Sequence, residues 1–188
     1  IVQKLFRLRA TGVAKTGLLR RLGIRPRKLT VPVTQPLSPG GNGIIGVFPV
    51  GGAYSFTNDF GAPRHQGRHE GIDIIARKGT PIYAVVDGVV DRLTRTERGL
   101  GGLYVWQRAA DGTEYYYAHL HNVAPGLKDG SRLSAGQIIG TVGNTGDARY
   151  GVDHLHFEWR PKGVSQNPYR YLVAADPKTR PSAAARRN

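Results

Sequence analysis

The side chains best suited to chemistry lie in three short stretches of this chain. His69 precedes Asp73 by four positions, His119 lies in the sequence YAHL, and His154 precedes His156 by two positions. Successive side chains of a β-strand alternate between its two faces, so each of the two pairs would share one face if these stretches are strands. Each pair could then offer two polar groups to the same cleft.

The absence of cysteine limits the kind of metal site that these residues can form. Without Cys, any metal must be held by His, Asp or Glu. A catalytic zinc keeps three protein ligands and leaves a fourth position open for water. His69, Asp73 and one of His154 or His156 would complete such a site. The remaining histidines could then accept the proton of the water, stabilise a developing charge or protonate a leaving amine.

Short strands are expected to position these residues. Between residues 44 and 173, runs of β-branched and aromatic residues alternate with Gly-containing turns, and Asp111-Gly112 indicates a hairpin. No apolar stripe of helical period persists there for the roughly ten residues that a helix needs. The region is predicted to be mainly antiparallel β, with strands over 43–48, 71–75, 81–86, 88–94, 103–108, 113–119, 137–142 and 153–159.

The charge of the chain is concentrated at its ends. The formal net charge is +14, yet residues 44–173 are nearly neutral, whereas residues 1–43 contain nine Lys or Arg and no acidic residue. The composition predicts a basic segment with a Pro/Gly-rich linker over 1–43, a folded domain over 44–173 and a basic disordered tail over 174–188. No apolar run approaches the roughly 18 residues of a membrane span. We expect any secretory signal to precede Ile1, because residues 1–29 lack the apolar core of a signal peptide.

Six motifs occur in order between about Phe48 and Pro161. They are FGAPR at 60–64, HEGID at 69–73, GTPIYAVVDG at 79–88, YAHL at 117–120, SAGQIIGTVGNTG at 134–146 and HLHFE at 154–158. In these motifs the chain resembles the lysostaphin/LytM-type zinc metallopeptidases, which are peptidoglycan endopeptidases related to β-lytic metallopeptidase. No motif position is substituted, so the chain does not resemble the degenerate members that have lost metal and become regulators.

The resemblance implies a role for each residue of the three stretches. His69, Asp73 and His156 would bind Zn²⁺, and His119 and His154 would act in catalysis. The implied fold is a larger antiparallel sheet with a smaller sheet packed near its end and a groove on the large sheet. His65 and His121 have no role in the family and are expected on the surface, and Arg64 is expected either to contact a substrate carboxylate or to shape a loop.

The implied function is that of a zinc-dependent endopeptidase that hydrolyses amide bonds in the peptide stems or cross-bridges of bacterial peptidoglycan. Residues 44–173 would then be the catalytic domain of a secreted, periplasmic or wall-associated protein. The basic ends could bind anionic cell-wall polymers. The alternative is a non-catalytic peptidoglycan-binding or regulatory module of the same fold. Nucleic acid is not an expected partner, because all but one of the aromatic residues lie in the neutral region and not among the basic ends.

Overall fold

The structure is a computed structural model that describes residues 44–179. The basic segment predicted for 1–43 lies outside these residues, as do the last nine residues of the predicted tail. Within the described part, no helix is both long and apolar enough to cross a bilayer.

The described residues form twelve strands, two short 3₁₀ helices and one α-helix. The strands are β1 (Tyr54–Phe56), β2 (Pro63–Arg64), β3 (Gly67–Arg68), β4 (Ile72–Ala76), β5 (Pro81–Tyr83), β6 (Gly88–Arg98), β7 (Gly102–Arg108), β8 (Glu114–Ala118), β9 (Leu120–Val123), β10 (Arg132–Leu133), β11 (Ile138–Val142) and β12 (His154–Arg160). The 3₁₀ helices are Gly146–Ala148 and Pro161–Gly163, and the α-helix, α1, is Tyr169–Ala175.

Most of the strands belong to one large antiparallel sheet. Its seven strands are ordered β1-β4-β12-β8-β7-β6-β10, and a three-stranded sheet has the order β5-β11-β9. Strands β2 and β3 pair only with each other, as a hairpin over residues 63–68. The prediction of a larger antiparallel sheet with a smaller one is therefore confirmed.

Alternation along the strands separates the core from the functional face. On β12, Leu155 and Phe157 are fully buried, as are Ile72 and Ile74 on β4. Burying a side chain of this size stabilises the fold by about 1.5–3 kcal/mol relative to leaving it exposed. The residues between them, among them Asp73, point to the opposite face of the sheet. The apolar core therefore fixes which face carries the histidines.

Most of the predicted strands are present with shifted ends, but the one predicted over 43–48 is wrong for the described residues 44–48. This segment forms no strand there, because the N–H groups of Gly46 and Val47 both donate to one carbonyl, that of Val85, instead of making a ladder. Phe48 is buried all the same. The apolar spacing that suggested a strand reflects burial of this segment against the core.

Helix α1 was not predicted, because its seven residues are too short for a periodic pattern to be recognised. Leu172 and Ala175 anchor it in the core. After the helix, the Asp176 carboxylate accepts a hydrogen bond of 2.5 Å from the Tyr54 hydroxyl on β1. The division of the chain at residue 173 stays a prediction, although the packed helix continues two residues past it.

Candidate metal centre and active site

Two neighbouring strands bring together three of the predicted site residues. Asp73 on β4 and His156 on β12 are directly opposite in the antiparallel register, and His69 lies just before β4. His69 Nε2 lies 3.0 Å from Asp73 Oδ1 and 2.9 Å from His156 Nδ1, and the latter two atoms are 3.1 Å apart. Among residues 44–179, this is the one group of His, Asp and Glu side chains arranged to hold a metal ion. Two imidazole nitrogens and a carboxylate oxygen form a donor set that suits zinc.

The outer nitrogens of the two histidines determine which ring atom faces the centre. His69 Nδ1 lies 3.0 Å from the backbone carbonyl of Asp59, and His156 Nε2 lies 3.0 Å from Glu158 Oε1. A carbonyl or carboxylate oxygen only accepts, so these nitrogens carry the protons. The lone pairs of His69 Nε2 and His156 Nδ1 are then directed at the centre, as metal ligation requires.

The centre attracts positive charge. Burial opposes ionisation of Asp73, but hydrogen bonds from His156 and His69 hold the pKa of this carboxyl far below its usual range. Burial also disfavours the charged form of His69, yet its hydrogen bonds to Asp59 and Asp73 raise its pKa to about 9. A metal ion would compete with protons for these nitrogens, so metal binding is expected to weaken as the pH falls.

Among residues 44–179, Arg64 is a cation in direct contact with this centre. Its Nη2 donates to Asp73 Oδ2 at 2.7 Å and to Asp59 Oδ2 at 3.2 Å. The oxygen of Asp73 that faces away from the two histidines is thereby held in place. Arg64 therefore supports a candidate metal ligand. The sequence had instead suggested that it contacts a substrate carboxylate or shapes a loop.

His119 and His154 lie beside the centre, and both are held in the same way. His119 Nδ1 donates to the carbonyl of Thr145, and His154 Nδ1 donates to the carbonyl of Val152, each at 2.9 Å. The two ring centroids are 4.8 Å apart, and His154 Nε2 lies 3.7 Å from Asp73 Oδ1. Each ring therefore presents Nε2 as a proton acceptor or donor.

The backbone at His119 is unusual and explains its position. Its φ of 62° lies in the left-handed region, between the end of β8 at Ala118 and the start of β9 at Leu120. Such a conformation is costly for a non-glycine residue and is found where surrounding contacts impose it. The N–H of His119 donates to the carbonyl of Gly101, and burial, with the neighbouring His154 and His156, lowers its pKa to about 4. The imidazole is therefore neutral at physiological pH.

A groove of about 810 Å³ contains all five predicted residues. Tyr116 and Ala118 of β8 contribute to its lining, as do the hairpin 63–68 and the segment 147–152. Gln66 on the hairpin donates to Asp147 Oδ2 at 2.6 Å, which joins these two lining segments. A volume of this size lies within the range of small-molecule binding sites, about 300–1,000 Å³.

Comparison with known proteins identifies the family. A family model described as "Peptidase family M23" matches residues 67–168, a span that contains all five residues. This chain belongs to peptidase family M23.

Individual M23 relatives differ in what their names describe. The chain is 35% identical over 154 residues to the "Murein hydrolase activator NlpD" of Salmonella dublin, an alignment that covers 77% of this chain and 38% of that protein. It is 33% identical over 138 residues to the "L-Ala--D-Glu endopeptidase" of Bacillus subtilis, which covers 67% of this chain and 42% of that protein. The chain thus spans less than half the length of these two relatives.

A solved M23 structure agrees with the fold. The catalytic domain of the antimicrobial peptidase lysostaphin from Staphylococcus simulans superposes with a TM-score of 0.55 at 30% identity, covering 63% of this chain and 92% of that domain. The predicted resemblance to the lysostaphin/LytM-type peptidases is confirmed.

Some M23 site features were missed by the sequence interpretation. Glu158 contacts His156, and the sequence spacing could have predicted this contact, because residues two apart on a strand share a face. The carbonyl of Asp59 carries no signal in the sequence, because any residue type could supply it. His65 and His121 are exposed and do not line the groove, as expected.

Proposed function

We propose that this M23 protein is a zinc-dependent endopeptidase that hydrolyses amide bonds in the peptide stems or cross-bridges of bacterial peptidoglycan. One observation carries the proposal. The three candidate ligand atoms converge within 3.1 Å of one another, and His154 presents its Nε2 3.7 Å from one of them, Asp73 Oδ1. His69, Asp73 and His156 would hold the metal, and His119 and His154 would be the catalytic residues.

The donor set and the paired histidines fit this chemistry. Zinc bound there would supply a Lewis acid that lowers the pKa of a water and polarises a carbonyl. His119 is neutral, so its Nε2 can accept a proton, while the carbonyl of Thr145 holds the other nitrogen in place. His154 Nε2 can donate a proton to the leaving amine. Together the two rings supply the acceptor and the donor that amide hydrolysis needs.

The groove and the relatives support the proposed substrate class. The groove suits an extended, flexible peptide, and the names of the two relatives refer to murein and to a bond between alanine and glutamate. Peptidoglycan stems and bridges are peptides of this kind. We therefore place the protein outside the cytoplasm, with residues 44–173 as its catalytic domain and basic segments on both sides.

A non-catalytic regulatory or wall-binding module is the second candidate, and the similarity to an activator of murein hydrolases favours it. A binding module has no need for two histidines that expose Nε2 beside a metal-type centre. The presence of both His119 and His154 therefore supports the peptidase. Cleavage of peptidoglycan distinguishes the two candidate functions, because a binding module produces no turnover.

The decisive experiment is digestion of purified peptidoglycans with different cross-bridges, followed by mass spectrometry of the released ends. We expect new amino and carboxyl ends that disappear with a zinc chelator and return with zinc. The variant His154→Gln, which keeps all three ligands, is the matched control and should release few or no ends. Binding to the wall without cleavage by zinc-loaded protein would instead support the regulatory module.

The basic segment 1–43 is proposed to bind anionic wall polymers. Replacing its nine Lys and Arg residues with Gln in the full chain should reduce wall binding at low salt and leave it unchanged at high salt, where charges are screened. Equal binding of both proteins at every salt concentration would contradict this role.

A further inference from the structure

Glu158 is a buried carboxylate on the functional face that the proposed catalytic roles do not use. It lies on β12 two residues after His156, and it is only 5% exposed. A buried charge is costly unless it is paired and hydrogen-bonded. The partners of Glu158 therefore indicate its role. They are a ligand histidine on one side and a cation on the other.

Each oxygen of Glu158 has one partner. Oε1 lies 3.0 Å from His156 Nε2, and Oε2 accepts a hydrogen bond of 2.7 Å from Arg160 Nη1. The same Nη1 lies 2.9 Å from Glu70 Oε2, and Glu70 directly follows His69 in the chain. A continuous polar chain, His156–Glu158–Arg160–Glu70, therefore joins one candidate metal ligand to the residue beside another.

The surroundings leave the His156 ring little freedom to turn. A Cβ on Gly71 would lie 2.8 Å from His156 Cε1 and 2.9 Å from Nε2, so the backbone at this glycine lies close to that edge of the ring. Tyr116, which is opposite Glu158 in the β8–β12 register, packs edge-on against the same ring at 6.1 Å between centroids. The hydrogen bond to Glu158 then determines which nitrogen carries the proton.

We propose that Glu158 is a positioning residue for the metal ligand His156. Its carboxylate accepts the Nε2–H of His156, fixes the orientation of the ring and keeps the Nδ1 lone pair directed at Asp73 and His69. Arg160, itself held by Glu70, keeps the carboxylate in place. This inference rests on the metal centre of the proposed function and adds a residue that controls how tightly that centre holds its ion.

The geometry separates this role from direct ligation or catalysis. Glu158 contacts Nε2, whereas the atom that faces His69 and Asp73 is Nδ1, so the imidazole lies between the carboxylate and the centre. Glu158 therefore acts through His156. The expected consequence of its loss is a weaker and less ordered metal site.

The test measures zinc binding to the full chain by competition with a chromophoric chelator, without any wall substrate. Glu158→Gln is expected to bind zinc about 10–100-fold more weakly, which is the usual effect of losing an outer-shell partner. Cobalt(II) loaded into this variant should show altered visible absorption bands, because the ligand geometry is less constrained. A merely structural role would change the melting temperature and leave both readouts unchanged.

The matched control is Asp91→Asn. Asp91 is a carboxylate of the same sheet that pairs with two arginines, Arg92 at 2.8 Å and Arg108 at 3.0 Å, and it does not line the groove. Breaking this pairing should leave zinc affinity within about twofold of the unmodified protein, well below the effect of an outer-shell partner. Arg160→Gln, which keeps the contact between Glu158 and His156, should cause a smaller loss than Glu158→Gln.

Unchanged zinc affinity in Glu158→Gln, or an equal loss in Asp91→Asn, would overturn the inference. If Glu158→Gln does not fold, Glu158→Asp serves instead, because it keeps the charge but withdraws the carboxylate by one methylene, and its zinc affinity should fall. Failure of the proposed function is distinguishable from these outcomes. A protein that binds zinc in a Glu158-dependent way but cleaves no wall would contradict the peptidase and leave the positioning role intact.

Discussion

The two halves of the candidate site are held by different kinds of group. The candidate ligand His156 contacts the carboxylates of Asp73 and Glu158, and His69 contacts the Asp73 carboxylate and the Asp59 carbonyl. His119 and His154 instead donate to backbone carbonyls of residues 145 and 152. A carboxylate carries a full negative charge, whereas a carbonyl is a neutral hydrogen-bond acceptor. The metal half therefore contains charged acceptors, and the histidine pair is held by neutral ones.

The largest expected effect comes from removing the charge of the ligand half. Asp73→Asn keeps the size of the side chain but removes a charged ligand, so zinc affinity should fall by more than the about 100-fold that loss of an outer partner causes. Peptidoglycan cleavage should be lost with it. Zinc content after dialysis measures the effect.

The control for this substitution is Asp153→Asn, at a carboxylate that accepts a hydrogen bond from the Lys78 amide. It should retain zinc. If Asp73→Asn also retained a full equivalent of zinc, the assignment of Asp73 as a ligand would be wrong.

The next effect tests the histidine half by itself. His119→Gln leaves all three candidate ligands in place, so zinc should stay bound while turnover of peptidoglycan falls about 10²–10⁴-fold, the usual contribution of a general acid or base. Parallel measurements of zinc content and of released ends separate the two halves. Near-normal turnover would exclude a catalytic role for His119, and loss of zinc would show that the halves are not independent.

The separation of the halves also shows what the sequence could and could not predict. Two-residue alternation predicted that both histidines of HLHFE share one face, which the structure bears out on β12, whereas His69 precedes β4 and so does not share a strand with Asp73. Spacing could not choose between His154 and His156, because that choice depends on strand register. His156 is opposite Asp73, whereas His154 is opposite Ile75, two positions further along. Register is set by contacts between distant parts of the chain, so only the family resemblance pointed to His156.

The histidine half was harder to predict for a different reason. Thr145 and Val152 contribute only carbonyls, for which the residue type carries no information. The left-handed backbone at His119 is likewise held by surrounding contacts, since such a conformation is uncommon for any residue other than glycine. The sequence therefore predicted the residues of this half but not the contacts that hold them.

A smaller effect concerns stability and acid. The pKa of His119 in the folded chain is about 4, below the value of 6.5 expected when unfolded, so the unfolded state binds more protons between these values. Above about pH 6.5, His119 is neutral in both states and does not reduce the free energy of unfolding. As the pH falls to about 4, protonation of His119 in the unfolded state lowers that free energy by about 3 kcal/mol. His119→Asn removes this titration, and Asn tolerates the left-handed backbone.

Urea unfolding of both proteins with a chelator present, at about pH 7 and about pH 4, measures the difference. Between these two pH values, the free energy of unfolding of the unmodified protein should fall by about 3 kcal/mol more than that of His119→Asn. Equal losses would mean that other groups, such as the ligand carboxylates, account for all of the acid sensitivity.

The smallest effect tests how closely the backbone approaches the ligand half. A Cβ at position 71 would meet the carbonyl of Phe157 at 2.5 Å as well as the His156 ring, so Gly71→Ala must shift β12. We expect a loss of about 1–3 kcal/mol in stability, with weaker zinc binding. Gly151→Ala is the control, because its Cβ would lie 3.4 Å from the nearest atom, an ordinary contact. Thermal unfolding and chelator competition measure both, and equal values for the two variants would contradict the close approach.

The attachment of the segment after helix α1 has a consequence for self-association. Strand β1 is one edge of the large sheet, and an uncovered edge can pair with a strand of another molecule. Lys178 donates to the backbone carbonyl of Tyr54 on this edge at 2.8 Å, and Asp176 holds the Tyr54 hydroxyl. A protease cut between Pro168 and Lys178 would therefore expose a strand edge and favour aggregation, while the histidines, the seven strands of the large sheet and the groove would still be present.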